Sequence, residues 1–196
     1  LYAFSESGIF TINSANSSWT LEASSSTNNW PEGTPTESIE HSGVIYTALS
    51  GGGVGRWDLV SMSALSPWST ANNLHSDFVT NLIVAGNQLM ISSSDAGIAR
   101  RDLTSNFWLV TWNDGNWLSS NDVKGMAHTG NELQILTDSS IHVYNSNSGI
   151  FTSEIDITTL GLYNGGKTMF YWPSSGARSP LNDTVLVSDG SAVFAK

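Results

Sequence analysis

The chain of 196 residues contains no cysteine. This absence excludes disulfide frameworks, thiolate metal sites and cysteine nucleophiles. Charged residues are also scarce at 12%, and the 7 Lys and Arg residues are outnumbered by 17 Asp and Glu residues, which gives a formal net charge of −10. Because phosphate binding requires clustered Lys and Arg, nucleic acid is not an expected partner.

Long apolar runs are missing as well. No run reaches the roughly 18 to 20 residues of a membrane span, and the opening LYAFSESGIF lacks the zones of a signal peptide. We therefore expect no membrane insertion, and we expect the chain to be a piece of a longer protein. Its polarity comes mainly from Ser, Thr, Asn and Gly, which suit turns and disfavour helices. With 39% hydrophobic residues, this composition predicts a globular all-β protein.

The sequence repeats itself at a spacing of 44 residues. The stretch GNELQILTDSSIHVYNSNSGIF, which begins at Gly130, is a near-copy of GNQLMISSSDAGIARRDLTSNFW, which begins at Gly86. The same step pairs Trp68 with Trp112, and each end of the chain carries a further copy of the hairpin within this stretch. The repeat predicts five units, at about 1–34, 35–74, 75–118, 119–162 and 163–196.

Each complete unit contains four short apolar clusters separated by turn-forming residues. In the fourth unit these clusters are 123–127, 133–136, 141–144 and 151–155. Such clusters are too short for helices and are typical of strands. Four antiparallel strands in a unit of about 40 to 45 residues indicate a β-propeller blade. We predict an all-β propeller of about five blades, with the first and last incomplete, which is a single domain or a fragment of a larger propeller.

The run from Leu118 to Phe151 resembles the repeat of the two-component-regulator propeller family. The family pattern is matched in order by Leu118, Asn121, Val123, Gly130, Leu133, Thr137, Tyr144, Asn145 and Phe151. The Trp of the family's second strand is replaced by Tyr46, Met90 and Gln134, which we interpret as packing positions. The resemblance implies a propeller scaffold and an extracytoplasmic, sensor-like role, and it carries no site residues across.

Sequence motifs for nucleotide binding, hydrolysis or metal binding are weak or absent. The stretch GLYNGGKT at 161–168 fits the P-loop pattern, but Pro173 and Gly176 follow it and prevent the helix that a P-loop requires. The chain has no G-x-S-x-G elbow, and its four histidines are not spaced as a helical metal pair. We expect no cofactor and no bound metal.

One face of the predicted propeller is acidic and aromatic. The turns between second and third strands share a face with the loops between blades, and this face would hold Glu6, Asp77, Asp95, Asp114, Asp122, Asp138 and Asp189. Aromatic and polar side chains beside carboxylates are typical of sites for sugars, cations or cationic peptides. The predicted ligand-binding rim consists of Asp95, Asp138, Trp117, Trp30, His75 and Asp114. Alternatively, Asp and Asn occupy these positions only because β-turns favour them.

The leading functional hypothesis is a non-enzymatic recognition module that is extracellular, periplasmic or on the cell surface. It would bind a small molecule, a glycan, or a protein or peptide at one propeller face. One alternative is a glycosidase- or lyase-type propeller with two carboxyls about 5 to 10 Å apart. Another is a purely architectural repeat of a large surface protein. Under the leading hypothesis, neutralising Asp95 and Asp138 together should weaken the binding of a cationic partner.

Overall fold

The computed structural model describes residues 1–13, 15, 17–26, 28–157, 168–172, 184–188 and 193–195. The P-loop-like stretch except its last residue and the carboxylate Asp189 lie outside the described residues. The chain forms two compact units, Leu1–Leu82 and Ile83–Lys196. Among the described residues, no helix has the length and apolar character that a membrane span requires.

The described residues form five antiparallel sheets. The first contains β1 (Tyr2–Ser5), β2 (Gly8–Asn13) and β3 (Ser18–Ala23). The second contains β4 (Thr34–His41), β5 (Val44–Ser50), β6 (Gly53–Asp58) and β7 (Ser63–Trp68), and a short 3-10 helix (Thr70–Asn72) follows it. The third contains β8 (Val79–Ala85), β9 (Gln88–Ser93), β10 (Ile98–Asp102) and β11 (Trp108–Trp112). The fourth contains β12 (Val123–Thr129), β13 (Glu132–Thr137), β14 (Ser140–Asn145) and β15 (Ile150–Asp156). The fifth contains β16 (Thr168–Trp172), β17 (Thr184–Ser188) and β18 (Val193–Ala195).

In every sheet, strands that are consecutive in sequence are hydrogen-bonded neighbours, which is the order of a propeller blade. The four apolar clusters of the fourth repeat coincide with β12 to β15. The prediction of an all-β fold with four-stranded antiparallel sheets is therefore confirmed for the three middle sheets, and their strand order agrees with that of propeller blades. The first and last sheets have three described strands each, as the truncated repeats predict.

The core of the first unit is shared by its two sheets. It contains Ile9, Ala23, Trp30, Ile45, Leu49 and Trp57. Gly55 makes room for the indole of Trp30, since a Cβ atom at Gly55 would lie 2.6 Å from Cζ2 of that ring. Tyr46 stacks on Trp68 with the ring centroids 5.5 Å apart. The residue in place of the family's Trp is thus a packing residue in this blade.

The main core of the second unit joins the third and fourth sheets. It contains Ala85, Met90, Ile98, Trp112, Leu118, Val123, Met126, Leu133, Ile135 and Tyr144. Met90 and Gln134, the other two replacements of the family's Trp, are both buried. Trp112 belongs to this core and is therefore a packing residue.

A β-bulge in β15 decides which of its side chains share a face. Tyr144 pairs with Phe151 and Val143 pairs with Ser153, so Thr152 is the extra residue. Beyond the bulge, His142 pairs with Glu154. Since His142 and Tyr144 are two residues apart and point to one side, Phe151 and Glu154 lie on that side as well. This places an aromatic ring and a carboxylate next to each other along the cleft described below.

Candidate functional site

A cavity of the second unit lies between the third and fourth sheets of the chain. It has a volume of about 460 Å³ and is lined by Arg100, Val110, Trp112, Trp117, Tyr144, Gly149, Ile150 and Phe151. The ring of Trp112 packs edge-on against Tyr144 and Phe151, with centroid distances of 4.5 Å and 4.8 Å. Val110 and Ile150 are exposed at the surface. The site is therefore an aromatic cleft with an apolar rim.

Trp117 stands at one edge of this cavity on the loop between β11 and β12. Its indole is 55% exposed and stacks on Phe151 at 5.8 Å with an angle of 11° between the ring planes. Two asparagines fix the loop: the Asn113 N–H donates to Asn116 Oδ1 (2.9 Å), and Asn116 Nδ2 donates to Thr111 O (2.8 Å). The loop therefore holds Trp117 in position through its own hydrogen bonds.

The preceding repeat forms the same loop without a tryptophan. The Ser69 N–H donates to Asn72 Oδ1 (2.7 Å), and Asn72 Nδ2 donates to Pro67 O (2.7 Å), which are the same bonds 44 residues earlier. The position equivalent to Trp117 is Asn73. The loop hydrogen bonds thus do not require the indole, and exposing so large an apolar ring has no structural reason within the loop.

Among the described residues that line this aromatic cavity, Arg100 is the charged one. Its guanidinium lies 4.2 Å above the ring of Trp112, and its Nε and Nη2 donate to Gln88 Oε1 (3.1 and 2.9 Å). Burial lowers the pKa of Arg100, and Tyr144 opposes that shift. Arg56 lies over Trp68 at 4.4 Å in the same way one repeat earlier. The stacked Arg–Trp pair is therefore a repeated packing device, and Arg100 alone does not define a ligand.

A smaller, more polar cavity adjoins the aromatic one. It has a volume of about 280 Å³ and is lined by Asn116, Trp117, His142, Phe151, Thr152, Ser153 and Glu154. Trp117 and Phe151 belong to the linings of both cavities. We name the two cavities together the Trp117 groove. It has an apolar half and a polar half, with the stacked Trp117–Phe151 pair between them.

His142 anchors the end of the Trp117 loop through Ser119. Its Nε2 accepts a hydrogen bond from the Ser119 N–H (3.1 Å) and lies 3.0 Å from Ser119 Oγ. Because Nε2 accepts the hydrogen bond from the Ser119 N–H, the neutral ring carries its hydrogen on Nδ1. Burial lowers the pKa of His142, and Glu154, 3.9 Å away, opposes the shift. The structure thus favours a neutral His142.

We expect the protein to lose stability as the pH falls and His142 becomes protonated. Burial places the pKa of His142 in the folded state below the usual 6.5. As the pH falls, the unfolded chain therefore takes up the proton first. The stabilisation is present above pH 6.5 and is lost as the pH falls from there towards the folded-state pKa. Urea unfolding at about pH 7.5 and about pH 5.5 measures the loss. His142→Gln, which can accept from the Ser119 N–H without titrating, should lose less over the same range. Equal losses in both proteins would contradict the prediction.

Three of the predicted rim residues lie in turns and loops that meet. Asp114 is in the Trp117 loop, Asp95 follows β9 and Asp138 follows β13, and all three are exposed. The Gly97 N–H donates to Asn121 O (2.9 Å), which joins the Asp95 turn to the Trp117 loop. The hydroxyl of Ser139, next to Asp138, donates to Ser119 Oγ (2.8 Å). These contacts place the turns on one face with the loop, although the three carboxylates do not line the Trp117 groove.

Trp30 and His75 belong to the first compact unit. Trp30 is only 2% exposed and packs against Phe4 at 6.2 Å. Its indole is therefore a core group and does not reach a surface ligand, which corrects its assignment to the rim. His75 is exposed. Of the aromatic residues proposed for the rim, Trp117 is the exposed one.

The described residues contain no group of three or more His, Asp or Glu side chains that could hold a metal ion. None of the described Asp and Glu residues is buried. Asp122 is half-buried and forms an ion pair with Lys124. In the described part of the chain, the carboxylates therefore sit in turns and on strand surfaces.

Comparison with known proteins supports the fold. No family model matches the chain, and no curated protein matches it. Solved structures do match: the computationally designed Ika4 protein has a TM-score of 0.63 at 14% identity, with 87% of this chain and 94% of that chain covered. Saccharomyces cerevisiae Sqt1 has a TM-score of 0.71 at 13% identity over all of this chain and 54% of its own.

The extracellular domain of BT3049 from B. thetaiotaomicron, described as part of a hybrid two component system, has a TM-score of 0.73 at 12% identity. The alignment covers 99% of this chain and 26% of that one, so the chain spans about a quarter of its length. At these identities the likeness concerns the fold alone. The chain thus has the all-β, blade-like architecture of these proteins.

Proposed function

We propose that the chain is part of a β-propeller that acts as a non-enzymatic recognition module outside the cytoplasm, with its ligand bound in the Trp117 groove. The observation that carries the proposal is the exposed indole of Trp117, held against Phe151 by a loop that forms without it one repeat earlier. An exposed aromatic ring beside a cavity of several hundred Å³ is typical of a small-molecule or glycan site. The resemblance to the regulator propeller repeat and to an extracellular sensor domain supports a sensor-like role.

The clustered aromatic rings favour recognition over a purely architectural repeat, which would not require an exposed indole beside a cavity. The glycosidase or lyase alternative requires two converging carboxyls, one with its pKa raised by burial. The described carboxylates include no buried one. Recognition in the Trp117 groove is therefore the function that the geometry supports best.

We expect Trp117→Ala to weaken ligand binding at least about tenfold, because it removes the stacking surface between the two cavities. Binding can be followed on the indole N–H signals of the eight tryptophans. The wild type reports through Trp117, whose signal is identified from Trp117→Phe, and Trp117→Ala reports through Trp112, which lines the same groove. The titrants are ring compounds of different charge and a disaccharide. Ring compounds should shift the Trp117 signal.

The double variant Asp95→Asn/Asp138→Asn separates the groove from the acidic rim. If the ligand binds in the groove, the double variant should bind as the wild type does. If the rim is the site, the double variant should lose a cationic titrant while Trp117→Ala keeps it. A Trp117 signal that no titrant shifts would contradict the proposal.

A further inference from the structure

The polar half of the Trp117 groove contains a carboxylate that has no Lys or Arg partner among the described residues. Glu154 lies in its wall with a side chain that is 55% exposed. The described cationic candidate beside it is His142, whose Nε2 is 3.9 Å from Glu154 Oε1. That nitrogen accepts the Ser119 N–H, so the ring is neutral and presents no proton there. Neither Lys nor Arg is among the described residues that line this cavity.

Aromatic side chains border the same cavity. Trp117 and Phe151 stack nearly parallel, and both belong to its wall. The face of an aromatic ring attracts a cation, most strongly when the ring is an indole. A carboxylate and an exposed indole in one small cavity therefore provide two attractions for the same positive group.

Hydrogen-bonding capacity points to the same chemistry. The hydroxyl of Thr152 donates to Val143 O (3.3 Å), which leaves its oxygen to accept. Asn116 already donates to Thr111 O and accepts from the Asn113 N–H. Glu154 in its ionised form only accepts. The cavity thus offers acceptors, and an ammonium or guanidinium group supplies donors.

The apolar half would hold the rest of such a ligand. Val110, Ile150, Trp112 and Tyr144 form an apolar surface beside Trp117. The charge of Arg100 is engaged by Trp112 and by Gln88. A body consisting of a ring or a short alkyl chain fits this half of the groove.

We propose that the Trp117 groove recognises cationic amphipathic ligands, with an ammonium or guanidinium group between Glu154 and the Trp117 face and an apolar body in the aromatic cavity. This inference rests on the proposed function, whose site it shares. The net charge of −10 adds a long-range attraction for such ligands at low salt. The ligand class thus follows from the groove's own side chains.

Three probes with one body test the ligand class at neutral pH: 2-phenylethylammonium, 2-phenylethanol and 3-phenylpropanoate. Binding is measured from the shift of the Trp117 indole signal. We expect the ammonium probe to bind about fivefold more tightly than the alcohol, and the carboxylate to bind most weakly. Glu154→Gln should weaken binding of the ammonium probe by about threefold to fivefold and leave binding of the alcohol unchanged.

Glu132→Gln is the matched control, because Glu132 is exposed on β13 and lines neither cavity. This substitution changes the net charge by the same amount as Glu154→Gln. It should leave the binding of all three probes unchanged. Equal binding of the ammonium and the alcohol, tightest binding of the carboxylate, or equal effects of Glu154→Gln and Glu132→Gln would overturn the ligand class while the groove remained a site. If no probe shifted the Trp117 signal, the proposed function would fail together with this inference.

Discussion

Gly97→Ala should destabilise the protein by about 3 to 5 kcal/mol, which is exceptional for the addition of one methyl group. Gly97 has φ +80°, where a Cβ atom is strained, and the new carbon would lie well inside van der Waals contact of the Trp112 carbonyl oxygen and 3.1 Å from Asn113 Cα. Those are backbone atoms at the start of the Trp117 loop, so they cannot move aside as a flexible side chain would. Urea unfolding of the wild type and the variant measures the loss.

Gly130→Ala separates the clash from the backbone strain. Gly130 also has a positive φ, +59°, but no atom lies within 4 Å of its added Cβ. This variant should lose only about 1 kcal/mol, the usual cost of a left-handed conformation for a residue with a side chain. Equal losses in the two variants would show that the contact with Trp112 is relieved, contrary to the expectation.

The strands could be predicted from the sequence because their signals are local. Short apolar clusters between turn residues mark β12 to β15, and the 44-residue repeat transfers the assignment to the other sheets. The repeat also placed Trp117 in a loop at an open face. Trp117 is exposed there, as a loop position predicts, whereas the next residue, Leu118, is buried in the core.

Contacts between distant residues could not be predicted in this way. Trp30 is buried because Gly55, 25 positions later, leaves space for its ring. No sequence pattern near Trp30 indicates that this space exists. The pairing of Ser119 with His142 likewise joins a loop to a strand of the same sheet 23 residues away. Both depend on how sheets and loops pack rather than on spacing.

Phe151 and Glu154 on β15 were missed as candidate site residues for a different reason. An alternating strand would place Phe151 and Glu154 on opposite faces, because their positions differ by three. The bulge at Thr152 brings them to one face. A bulge has no dependable sequence signal here, so the polar half of the groove could be recognised only from the strand register. The one signal in the sequence is the replacement of Asn73 by Trp117 between equivalent loops.

Trp112→Ala should cost about 3 to 5 kcal/mol of unfolding free energy, as is usual when a buried tryptophan is truncated. Trp112 is 2% exposed, contacts Tyr144 and Phe151 edge-on and carries the guanidinium of Arg100 on its face. Its removal leaves a cavity between the third and fourth sheets and separates Arg100 from its aromatic partner. Urea unfolding followed by circular dichroism measures the change.

Trp117→Ala is the matched control for Trp112→Ala because it truncates the same residue type in the same cleft. Its indole is largely exposed and stacks on one described ring, so the expected cost is within about 1 kcal/mol. The two variants should therefore divide the roles of the cleft: Trp112→Ala lowers the unfolding free energy, and Trp117→Ala lowers binding while the fold stays intact. If Trp117→Ala were as destabilising as Trp112→Ala, the exposed indole would be a structural element, and the main reason for assigning it to a ligand would be lost.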